Sequence, residues 1–477
     1  MTANTETDKT VTGSQLSSSQ TWLIKGVRPA GGPATDLILA GGRITETGRG
    51  LTARGAQLLD GTGLIALPGL VDLHTHLREP GREDAETVLT GTQAAALGGF
   101  TAVHAMANTE PAADTAGVVE QIWRLGRQAG LCDVRPVGAV TAGLEGSRLA
   151  ELGAMADSAA QVRIFSDDGH CVSDAMLMRR ALEYVKAFGG VIAQHAQEPR
   201  LTDGAQLNEG EMSGLLGLTG WPAVAEEAII ARDCLLAAHV GSALHVCHVS
   251  TAGSVEIIRW AKSKGWRVTA EVTPHHLWLT DELTASYDPV YKVNPPLRTR
   301  ADVDALRAGL ADGTIDCVAT DHAPHAVEDK ETEWQAAAFG MTGLETALRV
   351  VHAAMVDTGL LDWAGVADRM SARPAAIGQL DGSVTTSSAA STGAAGTGAA
   401  STRGAPSPFA LLHGRPLEPG SPANLVLYDP AARSVVDPGQ HASRSRNTPF
   451  RGMELPGQVI ATFLRGEPTV LDGKLAR

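Results

Sequence analysis

The chain has 477 residues, 43% of them hydrophobic, and its 39 lysines and arginines against 53 aspartates and glutamates give a net charge of -14 and a pI near 5.5. Such a balance offers no basic surface to neutralise phosphates, which argues against nucleic acid or an anionic membrane as partner and for a small molecule. The five cysteines, Cys132, Cys171, Cys234, Cys247 and Cys317, contain no CxxC pair and are odd in number, so neither a disulfide framework nor a thiolate zinc site is expected. No basic-then-apolar leader opens the chain and no run of eighteen apolar residues occurs, so a soluble cytoplasmic protein without a membrane span is expected.

Residues 1–20 are rich in Thr, Ser, Asn and Gln and lack the apolar content to offset the entropy of ordering, which predicts a disordered tail. Over 21–68 the pieces TWLIKGV, DLILAGGRI and GLIALPG read as short strands cut by Gly and Pro. From Gly69 the pattern becomes apolar strands alternating with helical stretches. The strand candidates are GLVDLHTH, FTAVHAMA, DVRPVGAV, QVRIFSD, GVIAQHAQ, ALHVCHVS, RVTAEVTP and DCVATDHAP, with helices such as Asp174 to Phe188 and Ala223 to His239 between them. Eight β/α repeats over 69–378 predict an α/β fold, a (β/α)8 TIM-type barrel whose site lies at the carboxyl ends of the strands. A stretch at 379–408, almost wholly Gly, Ala, Ser and Thr, reads as a flexible insert whose removal should cost little. Over 409–477, ANLVLYDP and GQVIATFLRG return to strand character. Neither flanking set of strands can bury a face alone, so the two are expected to pair into one small β-sheet domain built from both termini.

The stretch GLVDLHTHLR, Gly69 to Arg78, organises the rest. Alternation along a strand puts Asp72, His74 and His76 on one face and brings two imidazoles to the strand's end. Polar residues recur at the ends of later strands: Asn108 after the second, Asp167 and Asp168 after the fourth, His195, His248, and then Asp321, His322 and His325 after the eighth. Several imidazoles and carboxylates on one rim are the donor set of a pair of zinc ions with a solvent position left open. His245, His275 and His276 lie near the rim but read as packed or supporting residues, and His322 as one that shapes its loop.

The runs VDLHTHLREPG, FSDDG, QHAQE, HVCHVS, KVNPPLR and ATDHAPH together resemble the dihydroorotases of the amidohydrolase superfamily, of the bacterial type with an aspartate at the bridging position. The resemblance implies two zinc ions, the first on His74, His76 and Asp321 and the second on His195 and His248. It implies Asp168 as the bridge, with Asp167 the alternative left open by the strand pattern. It also implies that Arg78, Asn108 and His325 receive a substrate carboxylate, that Asn294 faces them, that Phe339 and Gly340 close over the ring, and that His76 borders the substrate as well as the metal. The activity implied is reversible cyclisation of N-carbamoyl-L-aspartate to L-dihydroorotate, with Asp321 as the catalytic proton carrier, in pyrimidine biosynthesis. Hydantoinase, dihydropyrimidinase or allantoinase activity, or a non-catalytic scaffold, are the rival readings. Self-association or association with aspartate transcarbamoylase is left open. A carbamylated lysine in place of the aspartate is disfavoured, since the one lysine between His76 and His195 is Lys186, in a helical stretch well past the fourth strand.

Overall fold

The computed structural model describes residues 20–382 and 412–477. The expected N-terminal tail and most of the expected low-complexity insert lie outside the described residues.

Five strands come first: β1 (Trp22–Pro29), β2 (Thr35–Ala40), β3 (Arg43–Gly48), β4 (Gln57–Asp60) and β5 (Ile65–Pro68). The next strands are β6 (Leu70–Thr75), β7 (Phe100–Ala105), β8 (Asp133–Pro136), β9 (Ile164–Phe165) and β10 (Val191–Gln194). After a short pair, β11 (Leu207–Asn208) and β12 (Gly220–Trp221), come β13 (Ala243–Val246), β14 (Val268–Val272) and β15 (Cys317–Val318). The chain ends in β16 (Leu425–Val435), β17 (Glu454–Leu464), β18 (Glu467–Leu471) and β19 (Lys474–Leu475).

Strands from the two ends of the chain share one sheet, in the order β19-β18-β17-β16-β5-β1-β2-β3, with β4 also on β1. The join is antiparallel, Leu425 opposite Pro68 through Tyr428 opposite Ile65. Ile24, Leu37, Leu39, Ile44, Leu425, Leu427 and Phe463 bury one apolar cluster there, and Trp22 meets Phe463 edge-on at 5.4 Å. Neither set of strands covers its apolar side chains alone, and the sequence expectation that they combine agrees with this pairing.

The remaining long-range strands run parallel. β6-β7-β8 form one sheet and β9-β10-β13-β14-β15 another. Single parallel bridges, Gly138 to Phe165 and Thr75 to His322, link the sheets at both edges. Leu73, Met106, Val137, Ile164, Ala193, Cys247 and Cys317, drawn from each of these eight strands or the residue just past it except β14, meet in one small apolar cluster between them.

Helices fill the crossovers. In Ala175–Lys186 the buried residues Met178, Ala181, Leu182 and Val185 fall at the spacing of a single helix face, and the Asp174 carboxylate caps the first turn by accepting from Leu177 N. Arg300–Asp312 begins in a capping box between Thr299 and Asp302. The largest core cluster includes side chains from both the strands and these helices. Helical spans expected at Asp174 to Phe188 and Ala223 to His239 are found at Ala175–Lys186 and Val224–Val240.

The C-terminal part does more than complete a sheet. Between β16 and β17, residues 441–448 run over the rim at the end of β15, where Ser445 Oγ donates to His325 O and Asn447 Nδ2 donates to Ala323 O.

Candidate metal centre

Everything at the centre stands at a strand's carboxyl end. His74 closes β6 and His76 follows it, with ring centroids 5.4 Å apart. Asp168 follows β9, His195 follows β10, His248 lies two residues past β13 and Asp321 three past β15. Arg78, His248 and Asp321 have φ of +62°, +30° and +46°. Non-glycine residues there cost about 1–3 kcal/mol each and persist where surrounding contacts dictate the conformation.

Asp168 sits among all four imidazoles. Its Oδ2 is 3.3 Å from His74 Nε2 and 3.3 Å from His76 Nε2, and its Oδ1 is 3.3 Å from His195 Nδ1 and 3.2 Å from His248 Nε2. Asp321 Oδ1 lies 3.1 Å from His76 Nε2 and 3.5 Å from His74 Nε2. Asp167 turns the other way and accepts from Val140 N at 2.8 Å, Thr141 N at 2.9 Å and the Thr141 hydroxyl. Adjacent strand residues face opposite sides, so one carboxylate reaches the centre and its neighbour ties down a loop.

Hydrogen bonds outside this ring of groups decide which nitrogen of each imidazole faces in. His74 Nδ1 donates to Glu271 Oε1 at 2.7 Å and His76 Nδ1 to Asn108 Oδ1 at 2.8 Å, while His195 Nε2 donates to Gln197 Oε1 at 2.8 Å. The opposite nitrogens are thereby turned toward the carboxylates, where a metal would take the place of their protons. His245 joins the support, with Nε2 on Glu271 Oε2 at 3.0 Å and Nδ1 on Thr269 Oγ1 at 2.8 Å.

The donor set fits a cation. His74 Nε2 is buried, lies between two carboxylates and makes no hydrogen bond to either. Of four groups of close-lying potential ligand atoms among the described residues, two share Asp168, which stands with His74, His76 and Asp321 in one and with His195 and His248 in the other. Burial opposes charge on His74, yet the Asp168, Asp321 and Glu271 carboxylates outweigh it and raise its pKa well above the usual range. Burial likewise disfavours a charged Asp168, but the His74 charge and hydrogen bonds from His195 and His248 hold it well below the ordinary carboxylate range. A pocket that stabilises positive charge this strongly also suits metal ions of imidazole and carboxylate preference, which displace those protons.

Beside the centre, Arg78 donates Nε to Pro324 O at 3.0 Å, and among the described residues no hydrogen bond engages its two terminal nitrogens. Burial pulls its pKa down to about 10, well above neutrality. Asn108, with Oδ1 on His76, keeps its NH2 group as a donor. His325 Nε2 donates to Phe339 O at 2.8 Å, and burial, with the Arg78 charge next, pushes its pKa down to about 2, so the ring is neutral. Asn294 Nδ2 donates to Gln197 Oε1 at 3.2 Å, leaving its Oδ1 buried without a partner. Gly340 has φ +141°, and a Cβ there would come within 2.6 Å of His325 Nε2.

His322, His276 and His275, expected to pack, support or shape a loop, are not among the grouped ligand residues. His322 Nε2 is 3.2 Å from Glu86 Oε2, His276 Nδ1 is 2.8 Å from Thr273 Oγ1, and His275 is buried with Nε2 unpartnered. Lys186 is far along its helix and donates to Val240 O at 2.6 Å. Sequence reasoning missed Glu271 and Gln197. The signal for Glu271 was a lone carboxylate in the apolar strand VTAEV, a residue that is buried there only with a partner.

Solved structures of the same fold include the L-hydantoinase of Arthrobacter aurescens, with TM-score 0.80 and 24% identity over 96% of this chain and 98% of that one. The dihydropyrimidinase of Brevibacillus agri NCHU1002 superposes with TM-score 0.76 at 22% identity, over 96% of each chain. At such identities the likeness speaks for the fold. With the buried histidine and carboxylate groups, it defines the class as an α/β protein with a candidate metal centre.

The sequence is more specific. Residues 63–254 match the family described as Dihydro-orotase-like. The chain is 65% identical to a dihydroorotase of Streptomyces coelicolor over 95% of its own length and 99% of that protein's, and 54% identical to that of Mycobacterium tuberculosis over 95% and 99%. The chain belongs to the dihydroorotase family.

Proposed function

We propose that this chain interconverts N-carbamoyl-L-aspartate and L-dihydroorotate in pyrimidine biosynthesis, on a closed eight-stranded (β/α)8 barrel with a sheet domain from both termini. The two edge bridges and the shared interior cluster support ring closure. Two zinc ions would be the cofactor: His74, His76 and Asp321 would hold one and His195 and His248 the other, with Asp168 shared between them. Divalent ions bound there supply Lewis acidity, polarising a carbonyl and acidifying water.

The chain's own residues do the rest. In ring opening a water oxygen bonds to the amide carbonyl carbon and the C–N bond breaks. Asp321 takes the water proton and hands it to the departing nitrogen, base and then acid. Its carboxylate, 3.1 Å from His76 Nε2 at the centre, is the group placed to accept. In ring closure the protonated residue returns the proton as water leaves. Arg78 receives the ring carboxylate through its terminal nitrogens, with the Asn108 NH2 group beside it. His325 completes the group that receives the carboxylate, its Nε2 bonded to Phe339 O, while Phe339 and Gly340 close over the ring and the unpartnered Asn294 Oδ1 accepts a ring N–H.

The observation that carries this reading is Arg78, a guanidinium two residues past a metal-facing histidine with its terminal nitrogens unengaged. A substrate without a carboxylate gives no reason for it. The test is an assay of purified protein on dihydroorotate, hydantoin, dihydrouracil and allantoin in parallel, with metal content measured on the same sample. Turnover of dihydroorotate far above the others is expected, and preference for any other ring would refute it.

A further inference from the structure

The segment that delivers Phe339 and Gly340 to the site is built around two buried lysines. Lys330 is 7% exposed and Lys292 1%, and among the described residues no ion pair joins either to a carboxylate. Lys330 Nζ donates to Lys292 O at 3.2 Å, Ala338 O at 2.8 Å and Gly340 O at 3.0 Å. Lys292 Nζ donates to Trp334 O at 2.7 Å and Gln335 O at 3.1 Å and lies 4.5 Å from the Phe339 ring centre. Gly340 N donates back to Lys292 O at 3.0 Å, and Phe339 meets Trp221 edge-on at 6.2 Å.

Burying an ammonium without a counter-charge is expensive, and burial pushes Lys330 down to about 7 and Lys292 to about 8. A better-packed apolar residue would avoid that cost, so the lysines need a reason. Three carbonyls around Lys330 Nζ match the three donors of an ammonium, whereas a neutral amine offers only two. With a methionine at 330 Ala338 O would lose its hydrogen-bond partner, and with one at 292 so would Trp334 O and Gln335 O, whereas Lys292 O keeps Gly340 N and Gly340 O keeps Asn447 Nδ2. Together the two ammoniums gather five carbonyls from both sides of one loop, a task that helices and ladders perform elsewhere in the fold.

We propose that Lys330 and Lys292 are positioning residues for substrate binding, whose ammonium groups hold the segment from Glu331 to Gly340 closed before substrate arrives. Phe339, Gly340 and the backbone leading to Asn294 are thereby set as one rigid wall of the pocket. This rests on the reading above that Phe339 and Gly340 cover the substrate ring. Preorganisation of this kind shows in binding more than in the chemical step, because ordering the loop would otherwise be charged against affinity.

The test is Lys330→Met in the metal-loaded enzyme, with wild type assayed beside it. KM for dihydroorotate should rise about tenfold or more while kcat falls less than about threefold, with metal content unchanged and Lys330→Arg recovering much of the loss. A folded, metal-loaded Lys330→Met enzyme with wild-type KM overturns the proposal. Inactivity of the wild type on dihydroorotate would instead overturn the functional reading. Should Lys330→Met not fold, Lys292→Met is read by the same constants, and hydrogen exchange of wild type decides independently. Amides of the segment should be protected without ligand and change little when dihydroorotate is added. Protection that appears only with ligand means the loop closes on binding, and the proposal fails.

Discussion

The two halves of the metal centre are supported by different chemistry. His74 leans on Glu271, a carboxylate 1% exposed that also takes His245. His195 leans on Gln197, a partly buried amide whose oxygen is shared with Asn294. A carboxylate behind an imidazole raises its basicity and fixes its tautomer, whereas an amide fixes the tautomer alone. On the proposed ligand assignment the first half would hold a cation more firmly, and the second is joined to Asn294 through Gln197.

That contrast can be broken by removing what the halves share. Asp168→Ala should lose the second metal ion and most turnover, read by metal analysis and steady-state rates, since it takes oxygen from both groups of ligands. A fully loaded, active Asp168→Ala enzyme would end the account of the bridge.

The contrast is sharpened by Glu271→Gln, which keeps a hydrogen-bond acceptor and removes the charge. Metal affinity of the first half should fall by about 10–100-fold in competition with a chelator. Gln197→Leu should weaken the second half by less, and raise KM as well because Asn294 loses its partner. Equal effects of the two changes on metal release would show that the charge of Glu271 does not distinguish the halves.

The smallest expected effect is none. Lys186 is bonded to Val240 O, so Lys186→Ala should remain active, and reconstitution with metal should be indifferent to bicarbonate. A bicarbonate requirement would mean that the bridge is a carbamylated lysine after all.

Six of the eight strand ends were legible in the sequence because a polar site residue follows the apolar run, and all eight predicted strands are present. The choice between Asp167 and Asp168 was not legible from alternation alone. It depends on where Val140 and Thr141 bring their N–H groups, a contact with a residue 26 or 27 positions away. Glu271 carried a local signal, a lone carboxylate in an apolar strand, but the histidine it serves stands on another strand, and Gln197 acts on a histidine two residues away with nothing local to mark it. The segment 441–448 was read as part of the sheet, yet it lies on the rim against His325, because sequence pattern predicts an element but not which surface a loop between elements crosses. The lysines at 292 and 330 were likewise silent, since a buried lysine looks in sequence like any exposed one.

The central claim is that Arg78 reads a carboxylate beside a hydrolytic metal centre, and dihydrouracil is the dihydroorotate ring without that group. The most direct measurement is the ratio of kcat/KM for dihydroorotate to that for dihydrouracil, in wild type and in Arg78→Met at equal metal content. The ratio should fall by about 100-fold or more in the variant, almost wholly through a higher KM for dihydroorotate, because the carboxylate would be desolvated without its cationic partner. An unchanged ratio would contradict the account.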